Sequence, residues 1–143
     1  MNRSILTIMA CLPLLMLTAG CYTTVSVSLR NRTPTAIRVW SSESNREVEV
    51  APEKFKKLPH SSGDLIVSTK NDGTLRFVQI APFNVDRKYH TIKNTILGPN
   101  SVTLNLTLET NMQIYVVMPD RKSVDEKVEQ PAGYPKVAEK LGD

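Results

Sequence analysis

Ser101-Val102-Thr103-Leu104-Asn105-Leu106-Thr107-Leu108 alternates polar and apolar residues without a break. A strand turns successive side chains to opposite faces, so this stretch has one face to bury and one to leave wet. Downstream, Glu109-Thr110-Asn111 reads as a tight turn, and 112–118, almost free of charge, reads as a candidate central strand. Upstream, Gly98-Pro99-Asn100 is a turn and 89–97 holds a further strand. Asn71-Asp72-Gly73 joins strands over 64–69 and 75–80; an Asp-Gly pair suits the two positive-φ positions of a type I′ hairpin. The connection 81–87 reads as a crossover.

The same period appears near the start of the chain. Val25, Val27 and Leu29 alternate with Ser26, Ser28 and Arg30, which predicts a strand beginning at about Thr23. Asn31-Arg32-Thr33-Pro34 then turns, because proline fixes its own φ and pushes Thr33 toward an extended conformation. Strands over 37–41 and 47–51 follow, joined by Ser42-Glu43-Ser44-Asn45, and 52–62 reads as irregular and basic. No stretch keeps helical spacing for more than one turn. Eight or nine short strands of this kind predict an all-β fold, a two-layer antiparallel β-sandwich, immunoglobulin-like or similar.

The chain has 143 residues, 41% hydrophobic and 22% charged, with a formal net charge of +4. That length allows one domain with a tail and excludes a large multidomain enzyme. Three regions are expected: a signal segment over 1–20, a sandwich domain over 21–118, and a flexible tail over 119–143. The tail holds 11 charged residues and few large apolar ones, too little burial to offset the entropy of ordering. Within it, Pro135 suits the first turn of a short helix over 135–141. Between the signal and the tail, 12 basic residues face 8 acidic ones. A surplus that small is an ordinary soluble surface, or a weak, salt-sensitive attraction to anionic headgroups or cell-wall polymer.

The first residues have the three parts of an export signal: the cation Arg3, an apolar run over 5–17 broken by Thr7 and Pro13, and the small residues Thr18-Ala19-Gly20. A run of 13 positions is short of the roughly 20 that a membrane-spanning helix needs. Leu17-Thr18-Ala19-Gly20-Cys21 resembles the lipobox of bacterial lipoprotein precursors. The resemblance implies cleavage between Gly20 and Cys21, a diacylglycerol thioether on Cys21 and acylation of the new amine. It also implies that Tyr22, not being acidic, favours the outer membrane where two membranes exist. Cys11 would leave with the signal and Cys21 would carry lipid, so no free cysteine would remain for disulfide, metal or nucleophilic chemistry.

The remaining residues show no catalytic constellation. Gly-x-Ser-x-Gly and the phosphate-cradling glycine motifs are missing, and His60 and His90 lie 30 residues apart without metal-ligand spacing. Asp64, Asp72 and Asp86 fall in turns, where carboxylates bond the local backbone. An enzymatic reading would need His60, Asp64 and His90 to converge. The chain is therefore expected to be non-enzymatic, with no cofactor, no metal and no nucleic-acid partner.

The densest basic cluster is Lys54, Lys56 and Lys57 around Phe55, followed by His60. One reading makes these five residues a ligand or partner contact, with lysines as point charges and Phe55 as an apolar platform. The other has Phe55 and Leu58 plugging the edge of the sandwich while the lysines guard it against aggregation. Trp40, the one tryptophan, is expected as a core anchor.

Asn31-Arg32-Thr33-Pro34, Trp40, Ala51-Pro52, His60-Ser61, Gly63 and Gly73 are similar in spacing to the von Hippel-Lindau β-domain, a small sandwich that captures an extended peptide. The similarity is confined to residues 31–76, and Asp64 stands where that family has a peptide-contacting histidine. It implies a sandwich with an exposed peptide-accepting edge and does not extend to hydroxyproline recognition. Together these readings lead to an envelope lipoprotein held on the bilayer by Cys21, with a protein or cell-wall polymer as partner. The alternative is an accessory lipoprotein of an envelope secretion or conjugation machine.

Overall fold

A computed structural model describes residues 23–58, 63–80, 85–94, 100–118 and 129–141. The expected signal segment, Gly20, Cys21 and His60 lie outside the described residues. The described strands are β1 (Thr23–Asn31), β2 (Ile37–Ser41), β3 (Val48–Val50), β4 (Phe55–Lys57), β5 (Leu65–Thr69), β6 (Gly73–Phe77), β7 (His90–Lys93), β8 (Asn100–Leu108), β9 (Gln113–Val116), β10 (Lys136–Val137) and β11 (Glu139–Lys140). One 3-10 turn, Arg87–Tyr89, precedes β7, and the Asp86 side chain accepts from the Lys88 amide to cap it. Among the described residues no helix is long and apolar enough to cross a membrane.

The strands form two sheets. The first runs β10-β9-β8-β1-β4, with β7 paired to β8 off that path, and the second runs β11-β6-β5-β2-β3. Val27, Leu29, Leu104, Leu106, Leu108, Ile114 and Val116 of the first join Ile37, Val39, Val50, Leu65, Val67, Leu75 and Phe77 of the second in one hydrophobic core. Leu104, Leu106 and Leu108 are all buried in that core as the period-two pattern of 101–108 predicts, but the opposite face is not left wet, since Thr107 is buried as well.

One expected feature of the pairing is corrected. β1 and β8 run parallel over nine residue pairs, from Thr23 opposite Asn100 to Asn31 opposite Leu108, so the first sheet is mixed. Alternation reports which face is buried and says nothing of strand direction. The excursion through β2 to β7 supplies the long crossover that a parallel pair requires. The centre of this sheet is accordingly β8 and β1, while β9 lies nearer its margin beside the two-residue β10.

Three local expectations also change. The hairpin between β5 and β6 is present, but only Gly73 is left-handed there (φ 75) and Asp72 is not. The three residues Lys70, Asn71 and Asp72 replace the two-residue type I′ turn, left-handed Gly73 opens β6 opposite Thr69, and the Asp72 amide donates to Thr69 Oγ1 at 2.8 Å. Within the stretch expected to be irregular, β4 pairs antiparallel with β1. All three of its residues are exposed, so it has no buried face and leaves no period in the sequence. Trp40 lies half-buried on the outer side of β2, because Ile37, Val39 and Ser41 take the core side and the pleat turns Trp40 away.

The described part of the tail, 129–141, is neither unpaired nor helical. β10 pairs with β9 and β11 with β6, closing one flank of both sheets within five residues. Tyr134 and Ala138 pack against the core, an anchor too small to stand out in a charged sequence. On the opposite flank the chain passes directly from β3, an edge of the second sheet, to β4, an edge of the first. Edge strands of two or three residues offer little ladder to another chain.

Candidate functional site

The end of the domain where β1 stops, called here the far end, is built around Asn31. Its side chain is buried and fully used: Nδ2 donates to the carbonyls of Thr35 at 2.7 Å and Val50 at 2.9 Å, and Oδ1 accepts from the Thr33 amide at 2.9 Å and hydroxyl at 2.7 Å. Its backbone N–H donates to Lys54 O at 3.1 Å, and its carbonyl accepts from the Glu53 amide at 2.7 Å. One side chain thus ties the end of β1 to the turn before β2 and to the end of β3.

Ala51-Pro52-Glu53-Lys54 passes from β3 to β4 in a β-turn closed by Lys54 N–H to Ala51 O at 3.2 Å. Proline supplies the first central position, and Glu53 occupies the second with φ 61, where a type II turn normally takes glycine. Its carboxylate meets Arg30 at 2.6 Å and Arg32 at 3.9 Å, and Arg32 in turn meets Glu109 at 3.4 Å. The Thr107 hydroxyl also donates to Glu109 at 3.2 Å. This chain of charges spans β1, the 51–54 turn and the start of the β8–β9 connection.

β4 projects from this base as an edge strand. Leu58 N–H donates to Val27 O at 2.8 Å, and Asn31 N–H to Lys54 O at 3.1 Å. In an antiparallel ladder these bonds fix the parity, so Lys56 directs its backbone groups at β1 while those of Phe55 and Lys57 point outward. Phe55 is 47% exposed, with the Arg30 guanidinium carbon 5.5 Å from its ring centroid, a cation–π contact. Lys54, Lys56 and Lys57 are all exposed. Lys56 lies on the core side of the sheet opposite Leu29, an inward charge of the kind that blunts an edge.

The two readings of this cluster therefore divide by residue. Leu58 is buried in the core, as edge-plugging requires, whereas Phe55 is presented on the surface. Of the five residues singled out in the sequence, the structure puts Phe55 and Lys57 on the outer face, turns Lys56 to the core side and leaves Lys54 at the end of the preceding turn, and His60 lies outside the described residues. Arg30, Asn31 and Glu53 support the cluster and were not singled out. Asn-x-Thr is an Asx-turn signal, and Pro-Glu at a turn is legible, but nothing local says that Glu53 meets Arg30.

Asp64 is committed to structure. It accepts from the Gln79 amide at 2.9 Å and from Arg76 Nε at 2.7 Å, with a second, very short bond from Arg76 Nη2. The Gln79 N–H, and after it Arg76, hold its carboxyl below the usual range. His90 directs Nδ1 at the Asp86 carbonyl at 3.1 Å. Among the described residues no three His, Cys, Asp or Glu side chains gather in a way that could hold a metal ion.

The described arrangement offers backbone hydrogen-bond groups, an aromatic face and fixed positive charge. That is equipment for contact with an extended or anionic partner. Comparison of the chain with protein-family models, with curated proteins and with solved structures finds no match.

Proposed function

We propose that this chain is a bacterial envelope lipoprotein, a non-enzymatic binding module held on the bilayer by acylated Cys21. The observation that carries the reading is one of spacing: the lipobox ends two residues before β1 begins at Thr23. In this reading the two sheets are the layers of a β-sandwich, immunoglobulin-like in kind, standing on its lipid with almost no linker.

The far end then engages the partner. Phe55 is paired with Arg30, seven residues along β1 from Thr23, which at about 3.3 Å per residue is roughly 23 Å from the strand's start. Attraction between exposed charges fades over about 10 Å at 0.1 M salt. A domain standing along β1 therefore holds Lys54, Lys56 and Lys57 beyond the pull of the anchoring headgroups, free for a protein segment or a cell-wall polymer. A second reading, an accessory subunit of an envelope machine, would use the outward backbone groups of Phe55 and Lys57, a ladder limited to these two residues.

Labelling with radioactive palmitate followed by membrane fractionation tests the proposal. The native chain should take up label and sediment with the membrane, and Cys21→Ala should do neither. An unlabelled native chain, or a Cys21→Ala form that fractionates identically, would contradict it.

A further inference from the structure

Residues 129–141 cover the edges of both sheets, and on β9 they lie with their polarity reversed. Val116 gives its N–H and its carbonyl to the Gln130 amide, which sets the parity of β9. The backbone groups of Ile114 and Val116 therefore face the returning chain, and Ile114 is the residue that exchanges bonds with Lys136. Cross-strand partners share a face, so Lys136, opposite buried Ile114, stands on the core side of the sheet. Val137, opposite Gln113, stands on the outer side and is 65% exposed. A strand made to fit this edge would do the reverse. The Lys136 ammonium instead lies 5.5 Å from the Tyr134 ring centroid, and the Tyr134 hydroxyl is buried with no hydrogen-bond partner among the described residues.

The rest of the hold is slight. On β6 it consists of Glu139 and Lys140 opposite Arg76 and Leu75, and of the Leu141 N–H donating to Thr74 O at 3.2 Å, and all three strap residues are exposed. At Val116 a side-chain amide stands where a continuous strand would place its backbone. Beneath this cover, 112–118 carries no charge, and Ile114, Tyr115 and Val116 are buried. An apolar edge of that kind is a template for strand pairing once it is bare.

We infer that 129–141 is a displaceable cover, which leaves β9 and β6 while the two sheets stay folded, and that the bared edge of β9 takes an extended segment of another protein in its place. The occupant has apolar residues opposite Ile114 and Val116 and polar ones opposite Gln113 and Tyr115. Such a strand meets Ile114 and Val116 with backbone at both and turns its apolar side chains to the core side, neither of which the strap does. A second copy of this chain is the poorer occupant, since its own 129–141 brings the same reversed polarity and lacks the covalent link to β9. The inference stands on the sheets alone, whether or not Cys21 is acylated.

The test uses the full chain with Cys11→Ala and Cys21→Ala, to which Gln113→Cys and Val137→Cys are added. These two positions oppose each other without exchanging backbone bonds, the closer kind of antiparallel pair, and suit a disulfide. Oxidation locks the cover and dithiothreitol releases it. The probes are two fluorescent peptides, residues 129–141 as they stand and the same residues with Lys136→Val and Val137→Lys. Fluorescence anisotropy should show the second peptide binding the reduced chain several-fold more tightly than the first, and the oxidised chain binding neither. The Ile114 and Val116 N–H groups should exchange with solvent several-fold more slowly after oxidation. Equal affinities, no binding to the reduced chain, or binding that survives oxidation would overturn the docking edge. Exchange rates untouched by oxidation would overturn the opening, and a disulfide that does not form would contradict the register on which both depend.

Discussion

The side-chain amide of Gln130 pairs with the backbone of Val116 as a neighbouring strand would: the Val116 N–H donates to its oxygen at 2.9 Å, and its nitrogen donates to the Val116 carbonyl at 3.2 Å. Tyr89 Oη donates to the Glu129 carbonyl at 3.1 Å just before it, and β10 continues along β9 after it. The returning chain is held on β9 first by one glutamine and then by two residues of ladder.

Gln130→Ala removes both of these bonds from a half-buried site. Its expected cost is about 1–3 kcal/mol, since an unmatched backbone group loses its partner at each end of the amide. Urea unfolding should show a lower midpoint with an unchanged slope. A midpoint equal to that of the native chain would mean that the 129–141 segment does not hold β9 in solution.

Asn31→Asp should be as damaging as Asn31→Ala, although it is nearly the same shape. The acid keeps the oxygen that accepts from Thr33 and loses the two donors that reach Thr35 O and Val50 O, placing a carboxylate beside two carbonyls. A loss of about 2–4 kcal/mol in either variant, read from thermal unfolding, is the expected outcome. A mild Asn31→Asp would show that water replaces the clamp.

Glu53 sets backbone strain against charge pairing. A left-handed residue other than glycine costs about 1–2 kcal/mol, while the Arg30–Glu53 pair, with the carboxylate more than half exposed, adds no more than about 1 kcal/mol. Glu53→Gly should therefore unfold within about 0.5 kcal/mol of the native chain, the added freedom of its unfolded state offsetting the rest. Glu53→Ala keeps the strain, loses the pair and should be the less stable of the two. The reverse order in paired melting curves would show that the ion pair outweighs φ.

Asp64 links stability to acid. Its folded pKa is lowered by the Gln79 N–H and by Arg76, so its contribution is fully present above the ordinary value of 3.8 and is lost as pH falls through the folded value. Asp64→Asn should be less stable than the native chain at neutral pH, and the gap should close below pH 3.8. A gap that is constant across the acid range would contradict the assignment.

Much of this fold was legible because the pleat writes itself into sequence. Leu104, Leu106 and Leu108, or Val27 and Leu29, alternate with hydroxyl and amide residues and are buried as that period requires. Where no face is buried the signal vanishes, as in β4, and where two residues suffice the signal never forms, as in β10 and β11. The parallel register of β1 on β8 is a long-range property that neither strand records by itself. Trp40 misled because its area argues for the core, while its parity with Ile37 and Val39 forbids it. At the candidate site the basic cluster was visible as composition, but the outward parity of Phe55 and the arginine over its ring came only from pairing with Arg30.

Phe55 gives the binding surface its own test. The ring is exposed and outside the core, so Phe55→Ser should cost no more than about 1 kcal/mol, the worth of its exposed cation–π contact with Arg30. Joined with charge reversal at Lys54, Lys56 and Lys57, it should reduce the protein or polymer recovered from intact envelopes. Undiminished recovery would move the partner surface elsewhere on the domain.

The measurement closest to the central claim is the intact mass of the native polypeptide taken from the membrane fraction. Lipid anchoring predicts a chain that starts at Cys21 and carries a diacylglycerol thioether with an acylated amine. A chain that keeps residues 1–20, or one that starts elsewhere with an unmodified Cys21 thiol, would contradict it.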